Sequence, residues 1–461
     1  MVGVYDMAMR VLAKASFIAA TCLGTALGLG PAWAADDQPA KPDDLWSSDT
    51  LLGDFGGVRS ALKPYGVTLA LSETSEILGN VTGGIRQGAI YEGLTDASVQ
   101  IDLRTKYGWP GVFYARGFQI HGRGLTANYV DNLNTISSIE AERSTRLFEL
   151  WYEHYATDWL RVRIGQQAAD QEFWISSTAK LFVNSTFGWP TLNGEDLPCG
   201  GGPAYPLATP AVRVRLDPSP ELHVLAAVFN SSPAGHTTGD PQQIDPSGTA
   251  FRIGDGEFAI AEIHYHPGNT PSNGSYRFGA WYNSEQIPGQ HFDTTGLSLA
   301  NPASNGMPRL FNGDYAIYTS IDQPLFHAKD SDAGLSVFTR AAGAPSDRNS
   351  VDFYLDGGVS YKGPFGRDND IIGAAFAYSR ISNSVRQLDA DTAFFTGQPY
   401  PVRASETVVE VSYQYQIAPW WQLQPDFQYI VRPGGGIPNP DQPTVRIGNA
   451  AVLGLRTVIT F

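Results

Sequence analysis

An all-β fold, a transmembrane antiparallel β-barrel of about 16 strands, is what this chain predicts, and three observations carry the prediction. From Val67 onward, segments alternate apolar and polar side chains with the period of two that belongs to a strand. No apolar stretch after residue 34 reaches the roughly 18 residues a membrane-crossing helix needs. The chain also ends in one such alternating segment, closed by an aromatic residue, Phe461.

Composition narrows the classes further. Of 461 residues, 42% are hydrophobic and 17% charged. The charged share is below the usual ~25%, yet the hydrophobicity is ordinary, which excludes a disordered chain. Lys plus Arg number 31 against 46 Asp plus Glu, a net charge of −15. A nucleic-acid partner requires the opposite balance. Two cysteines, Cys22 and Cys199, exclude a disulfide framework and a Cys-rich zinc site.

The elements follow in chain order. Arg10 and Lys14 precede an apolar run from Phe17 to Leu29, and Ala32-Trp33-Ala34 offers small residues where a signal peptidase reads. Residues 1–34 are therefore expected to be a cleaved signal peptide, leaving Cys199 as the only cysteine. Residues 35–66 form a lead: 36–50 are polar and acidic, and 51–65 hold one short helix stopped by Pro64 and Gly66. The barrel spans 67–461, with strands near 67–78, 91–106, 111–121, 144–157, 159–168, 205–217, 220–230 and 256–267. The second half places them near 274–286, 312–324, 332–342, 350–362, 369–382, 403–417, 420–432 and 447–461. The count is even, as one-chain bacterial barrels require, and a barrel of this size encloses an aqueous channel.

Alternation alone also fits a soluble sandwich with its apolar side inward. Three features favour the inverted arrangement, apolar side to lipid and polar side to water. The apolar faces carry small residues, such as Ala259, Ala261, Ala375 and Ala377, where a close-packed core favours larger ones. Aromatics gather near segment ends, including Tyr155, Trp159, Tyr265, Tyr315, Trp420, Trp421 and Tyr429, as interfacial girdles do. The terminal Phe461 is associated with bacterial outer-membrane proteins. Short connections at Asp158, 217–220 and 418–419 read as periplasmic turns, and the polar stretches 122–143, 231–255, 287–311 and 383–402 as extracellular loops. The stretch 169–204 differs: it is long and aromatic, with helical potential at 176–181, and is expected to fold inward and narrow the lumen.

On that reading the polar faces bring ions of both signs inward. Arg104, Arg161, Arg163, Arg213, Arg215, Arg277 and Arg456 are the basic candidates. Asp102, Glu149, Glu153, Glu262, Asp314, Asp322, Asp352, Asp356, Glu410 and Asp426 are the acidic ones. Successive strands carry Arg161/Arg163 and Arg213/Arg215, a possible ladder of four guanidinium groups, although single lumen charges commonly serve as wall ion pairs. Planar donors beside carboxylate acceptors match vicinal sugar hydroxyls. Trp151, Trp281, Tyr318, Phe338 and Tyr354 are placed to stack on a pyranose face. Transport needs such contacts to be weak and repeated. His264 and His266 flank Glu262 at alternate positions but lack a further convergent ligand, so no metal or other cofactor is expected. No GxSxG, HExxH or P-loop motif occurs, so no enzyme is expected either.

Several segments carry a resemblance to a known family. Leu52-Gly53-Asp54-Phe55-Gly56-Gly57-Val58-Arg59 is one, with Phe55 where the family usually has Trp; Tyr91-Glu92-Gly93 is another. The most specific runs from Arg146-Leu147-Phe148-Glu149-Leu150-Trp151 through Arg163-Ile164-Gly165 and Ala169-Asp170-Gln171-Glu172-Phe173. It ends with Leu181-Phe182-Val183-Asn184-Ser185-Thr186-Phe187-Gly188-Trp189-Pro190. These resemble the carbohydrate-selective porins of Gram-negative outer membranes, strongly over 51–190 and weakly over 230–400. The resemblance implies a sixteen-stranded, lipid-embedded barrel, monomeric with a trimer as the alternative. It also implies conduction of mono- and small oligosaccharides, glucose among them, into the periplasm. It implies that the region around 165–190 helps build the constriction; within the inward-folding stretch 169–204, Phe173, Phe182, Asn184, Phe187 and Trp189 are the candidates. Alternatives are a general diffusion porin without a sugar site and a secreted, soluble β-rich sugar-binding protein.

Overall fold

The computed structural model describes residues 45–236, 238–269, 273–328 and 333–461. The expected signal peptide and the start of the lead lie outside these residues. After a 3-10 turn at Leu45–Ser47 comes a short helix, α1 (Val58–Leu62), and then the wall: β1 (Val67–Gly84), β2 (Gly88–Asp102), β3 (Gly111–Gly122), β4 (Ser144–Tyr155) and β5 (Leu160–Gln167). It continues with β6 (Thr209–Ser219), β7 (Leu222–Asn230), β8 (Glu257–Tyr265), β9 (Ser275–Asp293) and β10 (Pro308–His327). Next come β11 (Gly334–Gly343), β12 (Val351–Lys362), β13 (Ile371–Ile381), β14 (Ser405–Ala418) and β15 (Trp421–Val431). A small hairpin of β16 (Pro438–Asn439) and β17 (Gln442–Arg446) precedes the last wall strand, β18 (Gly448–Thr460). Leaving that hairpin aside, sixteen strands pair antiparallel with their neighbours, and β18 pairs β1 to close the barrel. Closure removes both sheet edges, which hydrocarbon does not tolerate.

The two faces are inverted relative to a soluble fold. Ile77, Ile164, Phe278, Ile317 and Leu453 are each more than half exposed, while Glu76, Arg213, Glu262 and Arg340 on the opposite parity are buried. Each large apolar side chain left in water forfeits about 1.5–3 kcal/mol. A band of them on the outside therefore requires lipid and rules against the soluble alternative. Tyr265, Tyr315 and Tyr429 lie on this outer face.

The structure corrects several expectations. Tyr155 turns inward instead of joining the girdle, pairing across the ladder with Arg161. Ala375 and Ala377 also face the lumen, almost fully buried, with Ala375 opposite Glu410. Their small size has a different reason from the one inferred: with Gly373 they form an inward strip on β13 against which a loop packs. A Cβ at Gly373 would meet Leu181 at 2.5 Å. The stretch 122–143 does not stay outside; Leu125, Val130 and Ile136 are fully buried against Leu78, Val408, Ile430 and Val452 of the wall. Finally, 383–402 holds a helix, α2 (Asn383–Thr396), started by the Ser382 hydroxyl accepting from the Val385 N–H and ended at Gly397 in the left-handed region.

One glycine has a specific task. Gly165 sits on β5 at φ +138°, where a Cβ would fall 2.2 Å from the Leu150 carbonyl oxygen. Gly165→Ala is expected to disrupt β4–β5 pairing and lower the fraction of chain that shows heat-modifiable gel mobility. Wild-type recovery of the folded band would contradict that reading.

Candidate functional site

Two loops fill much of the lumen, and the wall's inward charges hold them there. Loop 169–204 is hung from carboxylates. Glu262 on β8 accepts the Trp174 N–H at 2.7 Å, and Asp322 on β10 accepts from the Ser176 hydroxyl at 2.6 Å and the Thr178 N–H at 3.0 Å. Glu410 on β14 accepts the N–H groups of Val183 (2.6 Å) and Asn184 (3.0 Å). Arg340 on β11 does the converse, donating to the carbonyls of Trp174 (3.2 Å), Thr186 (2.8 Å) and Gly188 (3.0 Å) while paired with Asp356 on β12. Loop 122–143 is held the same way: Glu406 accepts the N–H groups of Leu133 and Asn134, both at 2.8 Å. The loops also join each other through Ser138 N–H to the Val183 carbonyl (2.8 Å) and Ser185 N–H to the Thr135 carbonyl (3.0 Å). A hydrogen bond to a charged group contributes about 1.5–3 kcal/mol, so these clamps give the loops a defined seat.

The aromatics complete that seat. Trp174 stacks on Tyr318 at 4.7 Å, and Phe182 and Phe187 pack on Phe338 at 6.0 and 6.2 Å. The Trp281 indole N–H donates to Asn193 at 2.9 Å. Trp281, Tyr318, Phe338 and Tyr354 are thus buried beneath the loop and do not offer a face to a solute, which corrects their expected stacking role. Phe173, Phe182, Asn184 and Phe187 are likewise buried in the loop's attachment, while Trp189 stays partly exposed and donates to the Gly201 carbonyl at 3.1 Å.

What remains partly exposed inside is a band on β3–β6. Its centre is a four-membered ion cluster: Arg163 and Arg213 each reach both Glu153 on β4 and Glu172 at the start of loop 169–204. Arg213 is 2% exposed and structural, whereas Arg163 retains 13% and lies 3.7 Å above the Trp151 ring, whose neighbour Tyr114 stacks at 4.8 Å. Arg116 pairs with Asp96 at 2.7 Å and donates to Gln171 of the loop at 2.8 Å. Nearer the periplasm, Arg161 and Arg215 share Asp217 at 3.3 and 2.8 Å, each about a third exposed. The register does align Arg163 with Arg213 and Arg161 with Arg215, but the ladder is ion-paired: Glu153 and Glu172 offset the first rung, and the single Asp217 bridges the second.

A family model, the carbohydrate-selective porin of the OprB family, matches residues 86–461, most of the chain and nearly all of this barrel. The chain belongs to that family. It is 25% identical over 459 residues to Porin B of Pseudomonas aeruginosa, covering 95% of each chain. It is 24% identical over 447 residues to a putative porin, QuiX, of Acinetobacter baylyi, covering 89% of this chain and 94% of that one. Among solved structures, OprB of Pseudomonas putida at high pH superposes with a TM-score of 0.78 at 23% identity, covering 90% of this chain and 99% of the other. The protein is an outer-membrane, carbohydrate-selective porin, a channel by family and by fold.

Within this porin the remaining candidates sort plainly. Glu149 is buried opposite Arg116, and Glu262 is a loop clamp with His264 and Arg277 (3.9 Å) beside it. Arg104 corrects the strand assignment: β2 ends at Asp102, and Arg104 lies in a periplasmic helical turn, paired with Asp102 at 2.7 Å and 4.2 Å above Tyr155. Sequence reasoning missed Tyr114, Arg116, Gln171 and Glu172 as members of the band, and Arg340 as the loop anchor. The alternation that exposed other inward charges held for Arg116 and Arg340 as well.

Loop 122–143 carries its own titrating group. Burial pushes the Glu140 carboxyl up to about 7; hydrogen bonds from Thr126 and the Leu125 N–H oppose the rise, and the like charge of Glu76 adds to it. With the folded pKa raised above the ordinary carboxylate value of 4.5, loop docking is favoured most below that value and weakens as pH rises toward 7. Single-channel closures and flicker are therefore expected to change between pH 5 and pH 8. In Glu140→Gln that dependence should flatten; an unchanged pH profile in this variant would remove Glu140 from the account.

Proposed function

We propose that mono- and small oligosaccharides, glucose among them, diffuse passively through the space beside the β3–β6 band, touching Arg163, Glu172, Arg161 and Arg215. The observation that supports this most is the paired character of the band. Arg163 and Arg213 are matched by Glu153 and Glu172, and Arg161 and Arg215 share Asp217, so the passage offers dense planar donors and acceptors with most of its charge compensated. Neutral polyols satisfy such groups without the desolvation of an ion. Trp151, flanked by Tyr114 and Arg163, stiffens the band and is not an open stacking platform. One barrel suffices for the task, because both loops that narrow the lumen come from the same chain.

A general diffusion channel is the competing reading. Planar-bilayer recordings separate them: glucose and maltose should block single-channel current in a saturable way, glucose permeating faster in liposome swelling. Conductance that stays constant in saturating sugar would leave only general diffusion.

A further inference from the structure

The outward face of β1–β4 departs from the apolar wall elsewhere. Register aligns Glu73, Thr95, Gln119 and Thr145 in one row, and Ser75, Gly93 and His121 in the next. All share the parity of exposed Ile77, away from the lumen. They are linked to one another: the Thr95 hydroxyl donates to Glu73 at 2.6 Å, the Ser75 hydroxyl at 3.1 Å, and His121 Nε2 lies 3.3 Å from Glu73 and 3.1 Å from the Tyr91 hydroxyl. His121 Nδ1 meets the Gln119 side-chain oxygen at 2.9 Å. Gly93 makes the arrangement possible, since a Cβ there would stand 2.2 Å from His121 Nε2. A carboxylate and an imidazole are unfavourable against acyl chains, so a linked polar shelf on this face fits a polar occupant.

Directly alongside runs an apolar row. Leu71, Ala97, Gly117 and Leu147 align across the same four strands. The small residues in its middle, with Ala115 and Leu69, leave a groove of about 510 Å³ that reaches Phe461. At the other end, β3 and β4 finish on the extracellular side, where Arg123 and Arg143 are exposed and form no ion pair with another described residue.

We propose that this face binds a phosphorylated, multiply acylated glycolipid of the outer leaflet, the lipid A class. One acyl chain lies in the Ala97–Ala115–Gly117 groove, its ester and hydroxyl groups meet the Glu73–His121 shelf, and a phosphate meets Arg123 and Arg143. The order of the three chemistries matches such a molecule: anion-seeking cations at the extracellular rim, hydrogen-bonding groups next to them, and a groove lined largely by small and apolar residues reaching toward the periplasmic end.

Native mass spectrometry of the detergent-purified porin with added bis-phosphorylated lipid A or phosphatidylethanolamine tests this. Lipid A should be retained preferentially by about tenfold or more. Ala97→Leu/Ala115→Leu, which fills the groove, should lose the adduct, and Arg123→Ala/Arg143→Ala should lose the preference, both with unchanged sugar block. The arginine variant lies outside the groove and decides the matter even if the filled groove impairs folding. Equal retention of both lipids, adducts indifferent to both variants, or an oligomer that the groove variant dissolves would each overturn the proposal, the last by giving the face to a second copy.

Discussion

Arg340→Ala is expected to release loop 169–204 into a wider, noisier channel while leaving the barrel closed. Arg340 is fully buried and spends its guanidinium on three loop carbonyls and Asp356. Removing it strands the Asp356 carboxylate with the Tyr354 hydroxyl, 2.8 Å away, as its remaining side-chain donor. Breaking a buried pair this way costs about 3–5 kcal/mol. The sixteen-strand ladder does not depend on that pair, so the loss falls on the loop. Heat-modifiable mobility should persist, single-channel conductance should rise with added flicker, and sugar block should fade. Arg340→Lys keeps the charge without the planar fork and should lie between the two. Arg340→Met/Asp356→Leu removes both charges and should recover stability without recovering the wild-type block. Wild-type conductance and block in Arg340→Ala would show that the loop is held by other contacts.

Arg163→Ala should have the second-largest effect, on selection rather than on architecture. Its guanidinium lies over Trp151 and contacts Glu153 and Glu172, both at 3.0 Å. Without it the cluster carries one net negative charge, and reversal potentials should move toward cation preference. If Arg163 also donates to a sugar hydroxyl, the loss of a charge-assisted bond of about 1.5–3 kcal/mol weakens glucose block on the order of 10- to 100-fold. Arg163→Lys should restore the ion preference but not the block, because an ammonium does not reproduce the fork over the indole. A shift in ion preference with glucose block untouched would assign the band to wall electrostatics alone.

Much of this is legible in the amino-acid sequence. The period-two pattern from Val67 located all sixteen strands and their number, because alternating contact with lipid and water constrains every residue in turn. It misjudged Arg104 by running β2 past Asp102, whose side chain accepts the Arg104 N–H and caps a helical turn instead. The inward charges were also visible, but their partners were not. Glu262 and Glu410 read as groups for a solute, and they hold backbone of loop 169–204; Arg340, which the sequence reading did not single out, holds it too.

What the sequence by itself determined is the barrel: its class, strand count, inverted faces and the unusual character of 169–204. Those properties are local, each residue's environment being set by its own parity along a strand. Which inward groups meet solute was decided only by the tertiary structure. Two loops, each distant in the chain from most of its wall anchors, displace water from inward carboxylates and arginines, and the small strip of Gly373, Ala375 and Ala377 lets one of them approach the wall. No short-range pattern reports which distant backbone N–H will occupy a given carboxylate.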